Sequence, residues 1–178
     1  MTHRIADPMK HKNILFERSV YMNKIEQKVR ELGYELPNPP KPVASYVPAV
    51  RVGNFVYISG QGATKDGKPL MQGHIGAELT CQDGYKAAEI CAVNALSVLR
   101  SEIGDLDKVK RIVKVLGFVN SAPGFDQQPF VINGFSDFME KVFGPYGKHA
   151  RSAISANELP FGTPVEVEMI VEVEDEYT

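Results

Sequence analysis

Arg151 and the glutamates that follow it carry the most suggestive chemistry in this chain. The stretch ARSAISANELPFGTPVEVEMI holds Arg151 near the start of one extended run and Glu166 and Glu168 on the next. Strand parity places Arg151 with Ala153 and Ser155, opposite Ser152 and Ile154. If the two runs pair as an antiparallel hairpin through LPFGTP, Arg151 and a Glu can share one face. A guanidinium there presents a planar fork matched to a carboxylate, and a nearby Glu can position or deprotonate water. The ordinary alternative is a surface arginine on an edge strand in a weak ion pair.

Other reactive constellations are missing from the sequence. It contains no GxSxG, P-loop, HExxH or strand-following GxGxxG motif. Cys81 and Cys91 do not make a disulfide scaffold or a CxxC pair; they read as a loop thiol and a buried helix thiol. The four histidines, His3, His11, His74 and His149, form no local ligand pair, so no metal is expected. His149, two residues before Arg151, reads as a loop histidine or as a cleft border.

The elements that must position these residues follow from periodicity. Residues 1–21 have no clear period and are read as a flexible extension. Residues 22–42 are read as a short amphipathic helix (22–33, with Ile25, Val29 and Leu32 on one side) and the Pro-rich linker PNPPKP. The main domain spans 43–178. It opens with two strand runs around Gly53-Asn54 and a further turn at Asp66-Gly67. A helix over 82–103 carries the small-residue stripe Ala88, Cys91, Ala92, Ala95, Leu99, Ile103. Residues 109–120 read as a central strand covered on both faces. A second helix covers 129–143, with Val131, Phe135, Phe138 and Val142 inward and Phe130 also assigned to the core. Strands follow at 150–157 and after Pro160, the last alternating Val/Met against Glu. The order predicts an α+β fold: one sheet, with two helices packed on one face.

Composition narrows the function. The chain has 178 residues, 43% of them hydrophobic, with 20 Lys+Arg against 22 Asp+Glu. A net charge of −2 and a pI near 6.1 disfavour a dedicated nucleic-acid binder and with it a ribonuclease. No apolar run is long enough to span a membrane, and no signal peptide is evident, so a cytoplasmic protein is expected.

Three collinear segments, SYVPAVRVGNFVYISGQ, FVNSAPGFDQQPFVINGFSDFM and HARSAISANELPFGTPVEVEMIVEV, resemble the Rid family (reactive intermediate deaminase, YjgF-like, also called endoribonuclease L-PSP-like). The resemblance covers roughly residues 40–175. It implies a chorismate-mutase-like (bacillus-type) fold and a homotrimer with clefts between subunits. It also implies hydrolysis of 2-imino acids and their enamine tautomers to 2-keto acids and ammonia, without cofactor or metal. Arg151 matches the carboxylate-binding arginine and Glu166 the acidic residue. Tyr46, Ser59, Gly60, Gln61 and Asn133 match substrate-lining positions, and backbone near Gly60 and Ala153 would hold the imine end. Ala153 stands where many deaminating members carry Cys, and Ser45-Tyr46-Val47-Pro48 replaces a more polar motif. The alternative activities are a small-carboxylate-binding or regulatory trimer and, less favoured, an endoribonuclease.

Overall fold

The computed structural model describes residues 23–39 and 45–175. The expected extension at 1–21, and part of the Pro-rich linker, lie outside these. The elements are α1 (Lys24–Glu31), β1 (Ala49–Val52), β2 (Phe55–Gly62), β3 (Thr64–Lys65), β4 (Lys68–Pro69), α2 (Cys81–Ile103), β5 (Val109–Asn120), α3 (Gln128–Phe143), β6 (Ala150–Ala156) and β7 (Val165–Val173). Five strands form one sheet in the order β1-β2-β7-β5-β6, and β3-β4 is a separate small ribbon. Helices α2 and α3 cover one face, as an α+β reading requires.

Local chemistry explains the helices. Thr80 and Asp83 form a reciprocal capping box that starts α2, and Gly104 at φ 77° stops it. Its stripe Ala88, Cys91, Ala92, Ala95, Leu99 and Ile103 is buried against the sheet and α3. Small residues let the layers approach closely. A Cβ at Gly134 would lie 2.0 Å from the Tyr85 carbonyl oxygen, so α3 rests directly on the α2 backbone. Gly117 plays the same role below, where a Cβ would meet the Ile132 side chain at 2.5 Å. Together these glycines press α3 onto β5 and beside β6. Helix α1, capped by Asn23, buries Val29 and is held on α3 by Lys28, whose Nζ donates to Val142 O at 2.9 Å. The chain after it is fastened by Tyr34, edge-on to Phe138 and hydrogen-bonded to Glu89 at 2.8 Å.

Strand β7 buries Val165, Val167, Met169, Val171 and Val173 under the helices, and its even-numbered residues face the other way. Three expectations are corrected. First, β6 and β7 do not form a hairpin. Strand β6 pairs in parallel with β5, and β7 lies between β2 and β5. The reason is α3: a helical crossover between β5 and β6 returns the chain in the same direction, and residues 157–164 then pass across β5 to reach β7. Second, β5 is covered on one face only. Ile112, Val115 and Val119 are buried, whereas Leu116 and Phe118 on the other face are half-buried, because no element among the described residues lies over them. Third, Phe130 is 44% exposed and packs on Tyr85 near the start of α3, whereas Phe135 and Phe138 are core.

Candidate functional site

The guanidinium of Arg151 is anchored by α3. Its Nη1 donates to Asn133 Oδ1 at 2.9 Å and Ser136 Oγ at 3.0 Å, and Nη2 donates to Pro129 O at 3.2 Å. Asn133 and Ser136 are one helical turn apart and so share a face. All three acceptors are neutral, and among the described residues no carboxylate forms an ion pair with Arg151. Arginine has five N–H donors. The Nε hydrogen and one Nη2 hydrogen therefore remain uncommitted among the described residues, which suits a two-oxygen anion. Burial pulls the Arg151 pKa down somewhat, with Asp137 opposing.

A second cluster lies where β2 meets β7. Between Ile58 and Gln61 the pairing is irregular, and Ser59 is stitched backwards: its Oγ donates to Val47 O at 2.9 Å and its N–H to Pro48 O at 3.0 Å. Gly60 then lies directly under Glu166. A Cβ at Gly60 would sit 2.0 Å from Glu166 Oε1, so the carboxylate occupies the space a side chain at position 60 would fill and would have to move to admit one. Burial, and secondarily Glu168, push the Glu166 pKa above the usual carboxylate value. No hydrogen bond or ion pair to its carboxylate occurs among the described residues, so nothing offsets the desolvation. Tyr46, half exposed, precedes this stitched segment. Gln61 pairs in register with Val167 and is buried, its Nε2 donating to Ser59 O at 3.1 Å; it supports the β2 turn from the helix side.

The structure thus brings Arg151 and Asn133 together, and Gly60 and Glu166 together, but keeps the two groups apart. Arg151 is in register with Val115 and Met169 on the helix-facing side, as Ala153 is with Gly117 and Val167. Glu166 is in register with Phe118 on the other side. The offset is three residues along the strands (about 10 Å) and two strand spacings (about 10 Å), with opposite facings. The two residues cannot meet on one small molecule within one chain. Their expected shared face depended on the hairpin that does not form.

Sequence reasoning missed Ser136 and the Pro129 carbonyl. The i, i+3 spacing of Asn133 and Ser136 was the available signal. His149 contributes more than a loop position: its Nε2 lies 3.0 Å from Ser136 Oγ and its Nδ1 2.6 Å from Gly147 O. Cys91 is buried and its thiol faces Val165 O at 3.5 Å, with burial holding its pKa well up; Cys81 opens α2 instead of lying in a loop. Among the described residues no group of His, Cys, Asp and Glu is placed to hold a metal ion, and no helix is long and apolar enough to cross a membrane.

Comparison with known proteins agrees with this architecture. Residues 26–173 match the family described as "YjgF/chorismate mutase-like, putative endoribonuclease". Protein TCP17 of Trypanosoma cruzi is 41% identical over 155 residues, 86% of this chain and 97% of that protein. The 2-iminobutanoate/2-iminopropanoate deaminase of Dermatophagoides farinae is 30% identical over 139 residues, 78% of this chain and 93% of that one. The crystal structure of Atu1372, a protein of unknown function from Agrobacterium tumefaciens, superposes with a TM-score of 0.79 at 41% identity, covering 84% of this chain and 93% of that one. The fold is therefore the chorismate-mutase-like α+β fold that the sequence resemblance implied. The chain belongs to the YjgF family.

Proposed function

We propose that this protein hydrolyses small 2-imino acids and their enamine tautomers to 2-keto acids and ammonia, in a cleft shared by two copies of the chain. The observation that carries this reading is the Arg151 guanidinium, fixed by three neutral acceptors and matched by no carboxylate among the described residues. Such a cation is organised for an external carboxylate. The family relationship and the imine deaminase among its relatives supply the chemical class.

The separation of Arg151 from Glu166 is the reason two copies are needed. The uncovered sheet face supports self-association: Val50, Val52, Phe55, Tyr57 and Ile154 are each more than 40% exposed there, and Val50 and Tyr57 line a hollow of about 470 Å³ together with Lys114, Leu116 and Glu168. Contiguous apolar surface of this kind favours burial against another subunit, and the family resemblance suggests a trimer. Bringing Arg151 and Asn133 of one copy against Gly60 and Glu166 of the next completes the constellation.

In that cleft Arg151 holds the substrate carboxylate. A water oxygen bonds to the imine carbon while the C=N π pair moves to nitrogen. Glu166 takes the water proton and returns a proton to nitrogen, giving a carbinolamine. The hydroxyl proton then passes, again by way of Glu166, to nitrogen as the C–N bond breaks and its electron pair leaves with nitrogen, so ammonia and the keto acid are released. A carboxylate with a raised pKa is better matched to such proton traffic near neutrality than an ordinary one. The test couples the protein to a serine or threonine dehydratase and traps the released imine with semicarbazide. Faster keto-acid release that disappears in Arg151→Ala is expected. Saturable, Arg151-dependent binding of a keto acid with no acceleration of any imino acid would replace the deaminase with a carboxylate-binding trimer.

A further inference from the structure

The anchoring of Arg151 continues beyond Ser136. The Gly147 carbonyl can only accept, so His149 Nδ1, 2.6 Å away, carries the ring proton of the neutral imidazole. Nε2 is then a bare acceptor, and at 3.0 Å it takes the Ser136 hydroxyl hydrogen. With its hydrogen committed, Ser136 Oγ turns a lone pair to Arg151 Nη1 at 3.0 Å. The donors run one way: Arg151 to Ser136, Ser136 to His149, His149 to Gly147. Phe135 lies edge-on against the imidazole with ring centroids 6.3 Å apart, which fixes its plane.

We propose that Ser136 and His149 are positioning residues that aim the Arg151 fork, and that carboxylate binding at Arg151 is thermodynamically coupled to protonation of His149. This rests on the reading of Arg151 as a carboxylate anchor and names what sets and regulates it. A proton on Nε2 reverses the middle bond: the ring becomes a donor, and the Ser136 oxygen must serve two cations at once. An anion seated on Arg151 relieves that conflict, so each event favours the other.

The electrostatic surroundings agree. The charged groups on the packed elements are Arg151 on β6, Asp137, Glu140 and Lys141 on α3, the adjacent Lys148, and Lys110, Arg111 and Lys114 on β5. Asp137 is engaged by the Tyr85 hydroxyl at 2.8 Å, Lys148 by Glu140 at 3.1 Å and Lys114 by Ser152 at 3.1 Å. Burial first, and then Arg151, hold His149 below the usual imidazole pKa, against the Gly147 bond.

The experiment is a side-chain ¹⁵N NMR titration of the full chain labelled at histidine, with and without saturating 2-oxobutanoate, the His149 signal being assigned by its loss in His149→Gln. The expected result is a His149 pKa raised by about half a unit in the complex, which by linkage is an affinity about threefold weaker on the alkaline side of the titration than on the acid side. Ser136→Ala should abolish this shift and raise KM more than it lowers kcat, and Ser136→Thr, which keeps the hydroxyl, should restore both. Arg151-dependent binding of 2-oxobutanoate with an unmoved His149 titration would overturn the coupling and leave the site assignment standing. Absence of any 2-oxobutanoate binding would overturn the carboxylate reading. In that event the unliganded protein judges the relay directly, because Arg151→Met should raise the His149 pKa, and no change would refute it.

Discussion

The two halves of the candidate site are built by opposite means. Around Arg151, one helix face supplies a side-chain amide, a hydroxyl and a backbone carbonyl, and the guanidinium is held before any ligand arrives. Around Glu166 there is a glycine and little else; the carboxylate has room but no donor among the described residues. On the proposed reading, the first half serves recognition. The second is left electrostatically unsatisfied, which raises its proton affinity. Binding energy invested in a remote carboxylate can orient a substrate, whereas a proton relay needs a group that is not locked into one ionisation state.

This contrast can be broken at either half. Arg151→Ala removes the fork and should cost about 100-fold or more in kcat/KM, from two charge-assisted hydrogen bonds of roughly 1.5–3 kcal/mol each; steady-state kinetics on a trapped imine checks it. Gly60→Ala drives a methyl into Glu166 Oε1 and should lower kcat by up to about 100-fold through misplacement while leaving keto-acid affinity nearly intact, a split read by kinetics beside calorimetry. Asn133→Ala removes one of three anchors and should raise KM by about fivefold, the worth of roughly 1 kcal/mol. The smallest expected effect concerns stability. Because the folded-state pKa of Glu166 lies above its unfolded value, protonation of this group stabilises the fold at low pH, and that contribution is lost as pH rises through the raised value. Glu166→Gln should therefore melt slightly higher than the parent near pH 7, on the order of 1–2 °C, with the gap closing below pH 4, while turnover collapses. A variant that melts lower at pH 7 would show that the carboxylate is satisfied after all.

Much of the fold was legible from residue order. The alternation in VEVEMIVEV named the buried face of β7 residue by residue, the small-residue stripe of α2 named its packing surface, and Gly53 and Asp66-Gly67 marked real turns, with Gly53 at φ 56°, Asp66 at φ 52° and Gly67 at φ 75°. The site was legible only in pieces. Arg151, Asn133, Gly60 and Glu166 were all singled out, Asn133 and Gly60 through the family resemblance, but the shared face considered for Arg151 and a glutamate rested on a local hairpin that does not form. Phe130 was misplaced for a related reason: an aromatic at the first turn of a helix reads as core until the neighbouring layer is known to end there.

Side-chain periodicity is a property of a few adjacent residues, and it was enough to say which way Arg151 and Glu166 each point relative to their own strand neighbours. Which strands lie side by side is not such a property. It was settled by the length and packing of α3, which the absent Cβ atoms of Gly117 and Gly134 allow to press against β5 and α2 and thereby carry β6 to the far edge of the sheet. That placement turned one apparent arginine–glutamate pair into two separate half-sites, and it brought Ser136 and His149, thirteen residues apart, into one hydrogen-bonded line behind the guanidinium. Chain order states the reactive groups, while long-range packing decides which of them share a space.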